Sequence, residues 1–89
     1  MPSPSGGTVR MEVRIELKPG VLDAEAESVE KSLALLGLTS VPKVATARIY
    51  ELEFQGVSQR EAARLAQEAV DRLLANPVIH RVSVRTVPA

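Results

Sequence analysis

Strict alternation of apolar and charged residues marks the first ordered element of the chain. From Val9 to Lys18 every odd position is apolar and every even position is charged, which is the period of a strand with one buried face. Pro19-Gly20 then ends this strand in a turn. Weaker alternation returns from Tyr50 to Phe54 and from Ile79 to Val87, so we predict strands there as well.

Two other segments repeat apolar residues at every third and fourth position, as amphipathic helices do. The first helix is predicted over Asp23–Leu36, with Asp23 as N-cap and Gly37 in the place of a left-handed C-cap. The second opens with the capping box of Ser58 and Glu61 and stops at Asn76-Pro77. The stripes predicted to be buried are Ala26, Val29, Leu33 and Leu36 in the first helix, and Ala62, Leu65, Ala66, Ala69, Val70 and Leu73 in the second.

The stretch from Val41 to Phe54 admits two interpretations. The favoured one is a short strand containing Val44 and Thr46, followed by a tight turn near Ala47-Arg48 and a further strand. The competing one is a single long bent strand, because Ala47-Arg48 is poor hairpin-turn chemistry. With two strands the element order is βαββαβ, which predicts an α+β, ferredoxin-like fold. In that fold a four-stranded antiparallel sheet carries both helices on one face, and strands one and three are central.

The length of 89 residues allows one small domain. Residues 1–8 are rich in Pro, Ser and Gly and are predicted to form a disordered N-terminal tail. The single domain is then expected over residues 9–89. Met11 is a candidate alternative start, since ordered patterning begins near it.

Composition excludes several classes of function. Eleven basic residues balance eleven acidic ones, which argues against a polybasic nucleic-acid or membrane-surface binder. The absence of cysteine and the single histidine exclude thiol catalysis and a Cys/His metal site. No run approaches the length of a membrane span or resembles a secretion signal, so a cytoplasmic protein is expected.

The sheet face away from the helices is predicted to be charged, with ion pairs between strand one and the strand that carries Glu51 and Glu53. Those glutamates would repel phosphate, and Tyr50 and Phe54 are predicted to lie on the core side. An RNA-binding surface needs the opposite arrangement and is rejected. A solvated face is favoured there over a polar protein-binding surface.

No catalytic constellation is visible. His80 has no identifiable partner, Ser58 is explained as a helix cap, and the Glu51/Glu53 pair lies on a flat, open strand without the burial that an acid/base pair needs. The chain is therefore expected to work by association. The predicted second strand would form an unguarded sheet edge, and pairing of two such edges would give a two-fold dimer through Val44, Ala45, Thr46 and Ala47.

Three strings carry a resemblance that covers about Met11 to Val87. They are KPGVLD at 18–23, YELEF at 50–54 and LLANPVI at 73–79, and together they resemble the PurS family. PurS is the small subunit of bacterial phosphoribosylformylglycinamidine (FGAM) synthase. The chain departs from the family in having Ala24-Glu25-Ala26 after the first string and Ala47 in place of a hairpin glycine.

The resemblance implies a non-catalytic subunit of a ligase. In that family a glutaminase subunit releases ammonia, and a large synthetase subunit uses ATP and Mg²⁺ to convert formylglycinamide ribonucleotide to the amidine. The small subunit, as a homodimer or higher homo-oligomer, bridges the two and assists ammonia transfer, with no cofactor of its own.

Two loops are the expected contacts with the partner subunits. The residues are Lys18, Gly20, Val21, Leu22 and Asp23 in one loop and Asn76, Pro77, Val78 and Ile79 in the other. The alternative hypothesis is a ferredoxin-like regulatory module that binds a small effector at a dimer interface.

Overall fold

The computed structural model describes residues 7–88 of the chain. These residues contain three strands and two helices. Most of the predicted tail, residues 1–6, and Ala89 lie outside the described residues. The elements are β1 (Thr8–Leu17), α1 (Ala24–Leu35), β2 (Ala47–Gln55), α2 (Gln59–Ala69) and β3 (His80–Thr86), and a π-helical turn over Val70–Leu74 prolongs α2.

The sheet of the described residues has three antiparallel strands in the order β2-β1-β3. The chain therefore has an α+β fold, but β2 lies at an edge, whereas the prediction placed it in the centre. The predicted second strand is absent, since residues 41–46 have no regular secondary structure and β2 runs from Ala47 without a turn. The N–H groups of Val44 and Thr46 are bound by side-chain carboxylates and not by a neighbouring strand. The structure has one strand without a hairpin turn, as the competing interpretation held, but this strand begins at Ala47 and does not include residues 41–46.

The core lies between the sheet and α2. Met11, Val13 and Ile15 on β1 are buried, and they pack in two clusters with Ala62, Ala66 and Val70 of α2 and its π-helical turn. The partly buried residues around them include Tyr50, Leu52 and Phe54 of β2. The prediction that both aromatic residues face the core is confirmed.

The C-terminal end of α2 departs from the predicted stripe. The backbone widens into a π-helical turn, closed by the N–H of Ala75 donating to the carbonyl of Val70 at 3.2 Å. This wider turn changes the angular position of every later residue relative to an α-helix. Leu73 is consequently 81% exposed, and Leu74 packs on the core where the pattern placed Leu73.

α1 is well capped but almost unpacked. The Asp23 carboxylate accepts the N–H of Ala26 at 2.9 Å, and Gly37 follows the helix at φ 86°. Of the predicted apolar stripe only Ala26 is buried, while Val29 is 39% and Leu36 74% exposed. The prediction of a buried face on α1 is therefore wrong for the single chain, because the helix makes no extensive contact with any strand.

Candidate functional site

The two loops predicted to contact partner subunits meet at one end of the molecule. The Lys18 ammonium donates to the carbonyl of Pro77 at 2.7 Å, and the Lys18 N–H donates to the carbonyl of Ile79 at 2.8 Å. Lys18 follows β1 directly, and Ile79 directly precedes β3, so the antiparallel β1–β3 pairing brings both loops to the same edge. Lys18, in the first loop, therefore holds the loop of residues 76–79 in place.

The 75–79 loop has its own internal support. The side-chain oxygen of Asn76 accepts the N–H of Val78 at 2.9 Å, and the Asn76 carbonyl accepts the N–H groups of Ile79 and His80. The Asn76 N–H in turn donates to Nδ1 of His80 at 2.8 Å. These bonds fix the backbone on both sides of Pro77, so the loop presents one defined shape to solvent.

Two apolar side chains project from this end without cover. Leu22 is 70% exposed and Val78 is 76% exposed. Neither side chain is needed for the turns beneath it, which are built by hydrogen bonds and by Gly20 at φ 88°. Exposed apolar residues on a rigid, hydrogen-bonded base are typical of a protein-binding surface.

The β1–α1 turn also meets the segment before β2. The second oxygen of the Asp23 carboxylate accepts the N–H of Thr46 at 3.2 Å and its hydroxyl at 2.7 Å. Glu30, one turn and a half into α1, accepts the N–H of Val44 at 2.8 Å. The residues of the predicted dimer edge are thus joined to α1 along one side.

An open cleft of about 360 Å³ lies between these elements and includes residues of both predicted interfaces. Its charged rim is mainly basic, with four cations and two carboxylates. These groups are Arg14, Lys18, Lys43, Arg81, Glu16 and Asp23. Each carboxylate is already engaged, Glu16 by both arginines and Asp23 by backbone and hydroxyl donors.

The hydrogen bonds to Asp23 predict a pH-dependent stability. The Ala26 N–H and the Thr46 hydroxyl hold the pKa of this carboxyl below its ordinary value of 3.8. A carboxyl with a lowered pKa in the folded state stabilises the fold above its unfolded pKa, and that contribution is lost as pH falls through the folded value. Asp23→Ala is expected to lower the unfolding temperature by several degrees at pH 7. Thermal unfolding followed by circular dichroism should show a difference from wild type that shrinks below pH 4.

Glu27→Ala supplies the matched control, since Glu27 is an exposed carboxylate in the same first turn of α1. We expect it to change the unfolding temperature far less than Asp23→Ala. Equal effects of the two substitutions, or an Asp23→Ala effect that is constant down to pH 2, would contradict the role assigned to Asp23.

The open face of the sheet is charged as predicted, but its cross-strand ion pairs join β1 to β3 and not to β2. Arg81 contacts Glu16 at 2.9 Å and Arg85 contacts Glu12 at 3.1 Å, both from β3. Arg14 also binds Glu16, and Arg14 and Arg81 together lower the pKa of the Glu16 carboxyl. Within residues 7–88 Glu51 and Glu53 make no ion pair, and Glu51 lies in register with Glu12, a like charge. The predicted pairing with β2 is therefore wrong.

The remaining candidates stay apart from one another. His80 starts β3 and accepts the bond from Asn76, Ser58 caps α2 through the N–H of Glu61, and Glu51 and Glu53 are exposed on β2. No group of three or more potential metal ligands occurs among the described residues. No helix in the same part of the chain is long and apolar enough to cross a membrane.

Sequence reasoning missed one feature, the exposed leucines at the end of α1. Leu35 is 89%, Leu36 74% and Leu38 52% exposed. The signal was present in the sequence, because Leu35 lies on the opposite side of the helix from the Ala26–Leu33 stripe. A helix that is apolar on two sides at one end needs more cover than one sheet face provides.

Comparison with known proteins gives one consistent answer. The family model described as PurS, phosphoribosylformylglycinamidine (FGAM) synthase, matches residues 10–88. The chain is 44% identical over 73 residues to phosphoribosylformylglycinamidine synthase subunit PurS of Archaeoglobus fulgidus, which covers 82% of this chain and 91% of that protein. It is 39% identical over 74 residues to the PurS subunit of Methanothermobacter thermautotrophicus, covering 83% of this chain and 87% of the relative.

Solved structures agree with the sequence relatives. PurS of Methanocaldococcus jannaschii, one of the subunits of formylglycinamide ribonucleotide amidotransferase, superposes with a TM-score of 0.80 at 28% identity, covering 91% of this chain and 98% of that one. A chain of the PurLQS structure from Thermotoga maritima has the same fold, with a TM-score of 0.81 at 22% identity over 90% of this chain and 98% of its own length. Because the family model spans nearly the whole described chain, this chain belongs to the PurS family of FGAM synthase.

Proposed function

We infer that the chain is the small, non-catalytic subunit of FGAM synthase, a ligase of purine biosynthesis that forms a C–N bond. The observation that carries this inference is the family match over residues 10–88, supported by a relative 44% identical. In the complex, the glutaminase subunit supplies ammonia from glutamine. The synthetase subunit uses ATP and Mg²⁺ to convert formylglycinamide ribonucleotide to formylglycinamidine ribonucleotide, and we expect the whole assembly in the cytoplasm.

The role of this chain is to hold the other two subunits together. Ammonia released into water at neutral pH mostly becomes ammonium, which is not a nucleophile. An assembly that excludes water between the two active sites keeps ammonia reactive. A related fold occurs in the PurLQS structure of Thermotoga maritima, which supports the bridging role.

The contact surface that we propose for the partner subunits is the end of the molecule where Lys18–Asp23 meets Asn76–Ile79. The Lys18 bond to Pro77 and the bonds of Asn76 make this end rigid before binding. Rigid loops lose little entropy on association. Leu22 and Val78 would then supply the apolar contact.

The second proposed contact is with another copy of this chain, through residues 44–47. The N–H groups of Val44 and Thr46 are bound on the α1 side, and alternate N–H groups of extended backbone point in opposite directions. The side that carries the Ala45 N–H is then left for a strand of the second copy. Pairing of this segment between two copies would give a two-fold homodimer.

Reconstitution of the enzyme tests the bridging role directly. We expect that omitting this chain abolishes glutamine-dependent synthesis of formylglycinamidine ribonucleotide by its matching glutaminase and synthetase subunits. Synthesis fed with ammonium should continue, because free ammonia reaches the synthetase without a bridge. The product formed from each nitrogen source is measured with and without the chain.

Two outcomes would contradict the proposal. If the chain changes neither rate, the effector-binding module becomes the better hypothesis, and ligand-dependent stabilisation of the isolated chain would then be sought. If it changes both rates equally, the chain acts on the synthetase itself and not on ammonia transfer.

A further inference from the structure

The only histidine of the chain closes the base of the 75–79 loop. His80 is the first residue of β3, and its Nδ1 accepts the backbone N–H of Asn76 at 2.8 Å. In the opposite direction, the backbone N–H of His80 donates to the carbonyl of Asn76, also at 2.8 Å. The two residues are therefore joined by a reciprocal pair of hydrogen bonds.

One bond of this pair depends on the charge of the imidazole ring. A neutral imidazole has one nitrogen that accepts and one that donates, whereas both nitrogens donate in the protonated ring. Because the Asn76 N–H donates to Nδ1, the ring is the neutral tautomer with its proton on Nε2. Protonation would place a second N–H group directly opposite the N–H of Asn76. Two donors repel, so protonation breaks this bond and turns the ring away.

Loss of the bond would loosen the loop without unfolding it. The Asn76 N–H makes no other hydrogen bond within residues 7–88, so without Nδ1 it turns to solvent. The bonds from Val78 to the Asn76 side chain and from Lys18 to Pro77 do not involve the ring and persist. The effect is therefore confined to the point where the chain leaves the π-helical turn and enters the loop.

The surroundings of the ring offer the protonated form another partner. His80 borders two open clefts, of about 470 and 420 Å³. The charged residues that line these clefts or adjoin the loop are Glu16 and Lys18 at the end of β1, Glu25 of α1, Arg48 of β2, Asp71 of the π-helical turn and Arg81 of β3. Glu16 is held by two arginines. Asp71 makes no ion pair among the described residues and lies on the same cleft as His80 and Pro77, so its carboxylate is available to an imidazolium.

We propose that His80 is a pH-sensitive latch, which controls the affinity of this chain for its partner subunits through the bond to Asn76. The neutral ring keeps the 75–79 loop in one shape, whereas the protonated ring turns toward Asp71 and the loop loses that support. A loop that is less ordered before binding loses more entropy on association, so affinity falls. Histidine changes charge between about pH 5 and 8, so the latch responds to mild acidification. This inference rests on the contact surface of the proposed function and adds its regulation.

Nuclear magnetic resonance of the isolated chain tests the latch itself. In a nitrogen-15-labelled chain, the amide proton of Asn76 is expected to move upfield as the pH falls from 8 to 5, because it loses its acceptor. The midpoint of this change should coincide with the midpoint for the His80 ring protons. The amide of Val78, which is bound to the Asn76 side chain, should move far less.

Two substitutions separate the hydrogen bond from the charge. His80→Asn keeps an acceptor near the place of Nδ1 but cannot be protonated, whereas His80→Leu keeps the bulk and removes the acceptor. Between pH 7.5 and 5.5 the wild-type chain should lose about three- to tenfold more affinity than His80→Asn, as expected for one hydrogen bond. His80→Leu should bind more weakly than wild type at pH 7.5 by a similar factor, with the small pH dependence of His80→Asn.

Titration calorimetry with the matching glutaminase and synthetase subunits measures these affinities, and circular dichroism checks that both variants remain folded. Because the same partner subunits are used in every titration, the effects of their own titrating groups cancel in the comparison between chains. The latch is overturned if the Asn76 amide does not titrate with the His80 ring, or if wild type and His80→Asn lose equal affinity on acidification. Those results leave the contact surface standing. Failure of the wild-type chain to bind at pH 7.5 would contradict the contact surface itself, and the regulation with it.

Discussion

Replacing Val78 by glutamate is expected to leave the isolated chain folded and to lower its affinity for the partner subunits by at least about thirtyfold. Val78 is 76% exposed, and only its backbone N–H is used, in the bond to Asn76. A charge at this position therefore disturbs no internal contact, but it would be desolvated in an interface. Affinity is measured by titration calorimetry with the matching glutaminase and synthetase subunits, together with the glutamine-dependent rate.

Leu35→Glu makes the same chemical change at a residue that is 89% exposed on α1, outside the proposed contact end. We expect both variants to unfold within about 0.5 kcal/mol of wild type, as surface substitutions usually do. If the Val78→Glu and Leu35→Glu chains bind the partner subunits with equal affinity, the 75–79 loop is not part of the interface. Ammonium-dependent synthesis should be unaffected in either case.

Both helices could be predicted from the sequence because their signals are local. The side chains of Asp23 and Ser58 each accept the N–H of the residue three positions later, as predicted for N-caps. Gly37 has the positive φ that a left-handed C-cap needs. Each of these features depends on four or five neighbouring residues, so no knowledge of the tertiary structure is required.

The number of strands could not be predicted, because the decisive contacts are distant in sequence. The N–H of Thr46 is bound by Asp23, 23 positions earlier, and the N–H of Val44 by Glu30, 14 positions earlier. Residues 44–46 have the composition of a strand, but side-chain carboxylates occupy two of the donors that would have formed a ladder. Their pattern alone did not distinguish a strand from a segment bound to a helix.

The prediction of burial was wrong at two positions, for different reasons. Leu73 was assigned to the buried stripe by an α-helical period, and the π-helical turn displaces it outward. Leu36 was assigned to a buried face that the single chain does not contain. The first failure concerns backbone geometry, whereas the second arises because α1 makes no extensive contact with any strand.

That the two predicted contact loops lie together could be anticipated from the sequence. Pro19-Gly20 follows β1 and Asn76-Pro77 precedes β3, so antiparallel pairing of these two strands implied that the loops meet at one end of the sheet. The bond from Lys18 to Pro77 was not predictable, since it joins residues 59 positions apart. It depends on the register of β1 with β3, which a pattern of period two leaves uncertain by whole residue pairs.

Met11→Ala is expected to lower the free energy of unfolding by about 2–5 kcal/mol, the usual cost of truncating a large buried side chain. Met11 is 2% exposed and packs with Ala62 and Ala66, whose small side chains bring α2 close to the sheet. No flexible neighbour of similar size is buried in that cluster to fill the gap. A domain of this length has a total stability of about 4–13 kcal/mol, so the loss is a large share of it. Urea unfolding followed by circular dichroism gives both values.

Leu73→Ala serves as the control, because Leu73 is the large residue that the helical pattern wrongly placed in the core. At 81% exposure it should cost less than about 0.5 kcal/mol. If Leu73→Ala lowers the free energy of unfolding as much as Met11→Ala does, Leu73 is buried as an α-helical period predicts, and the π-helical turn is contradicted. The contrast also bears on function, since β1 carries Met11 in its centre and leads directly to Lys18 at the proposed subunit contact. Loss of the core contact should therefore lower glutamine-dependent synthesis steeply on warming, whereas Leu73→Ala should not.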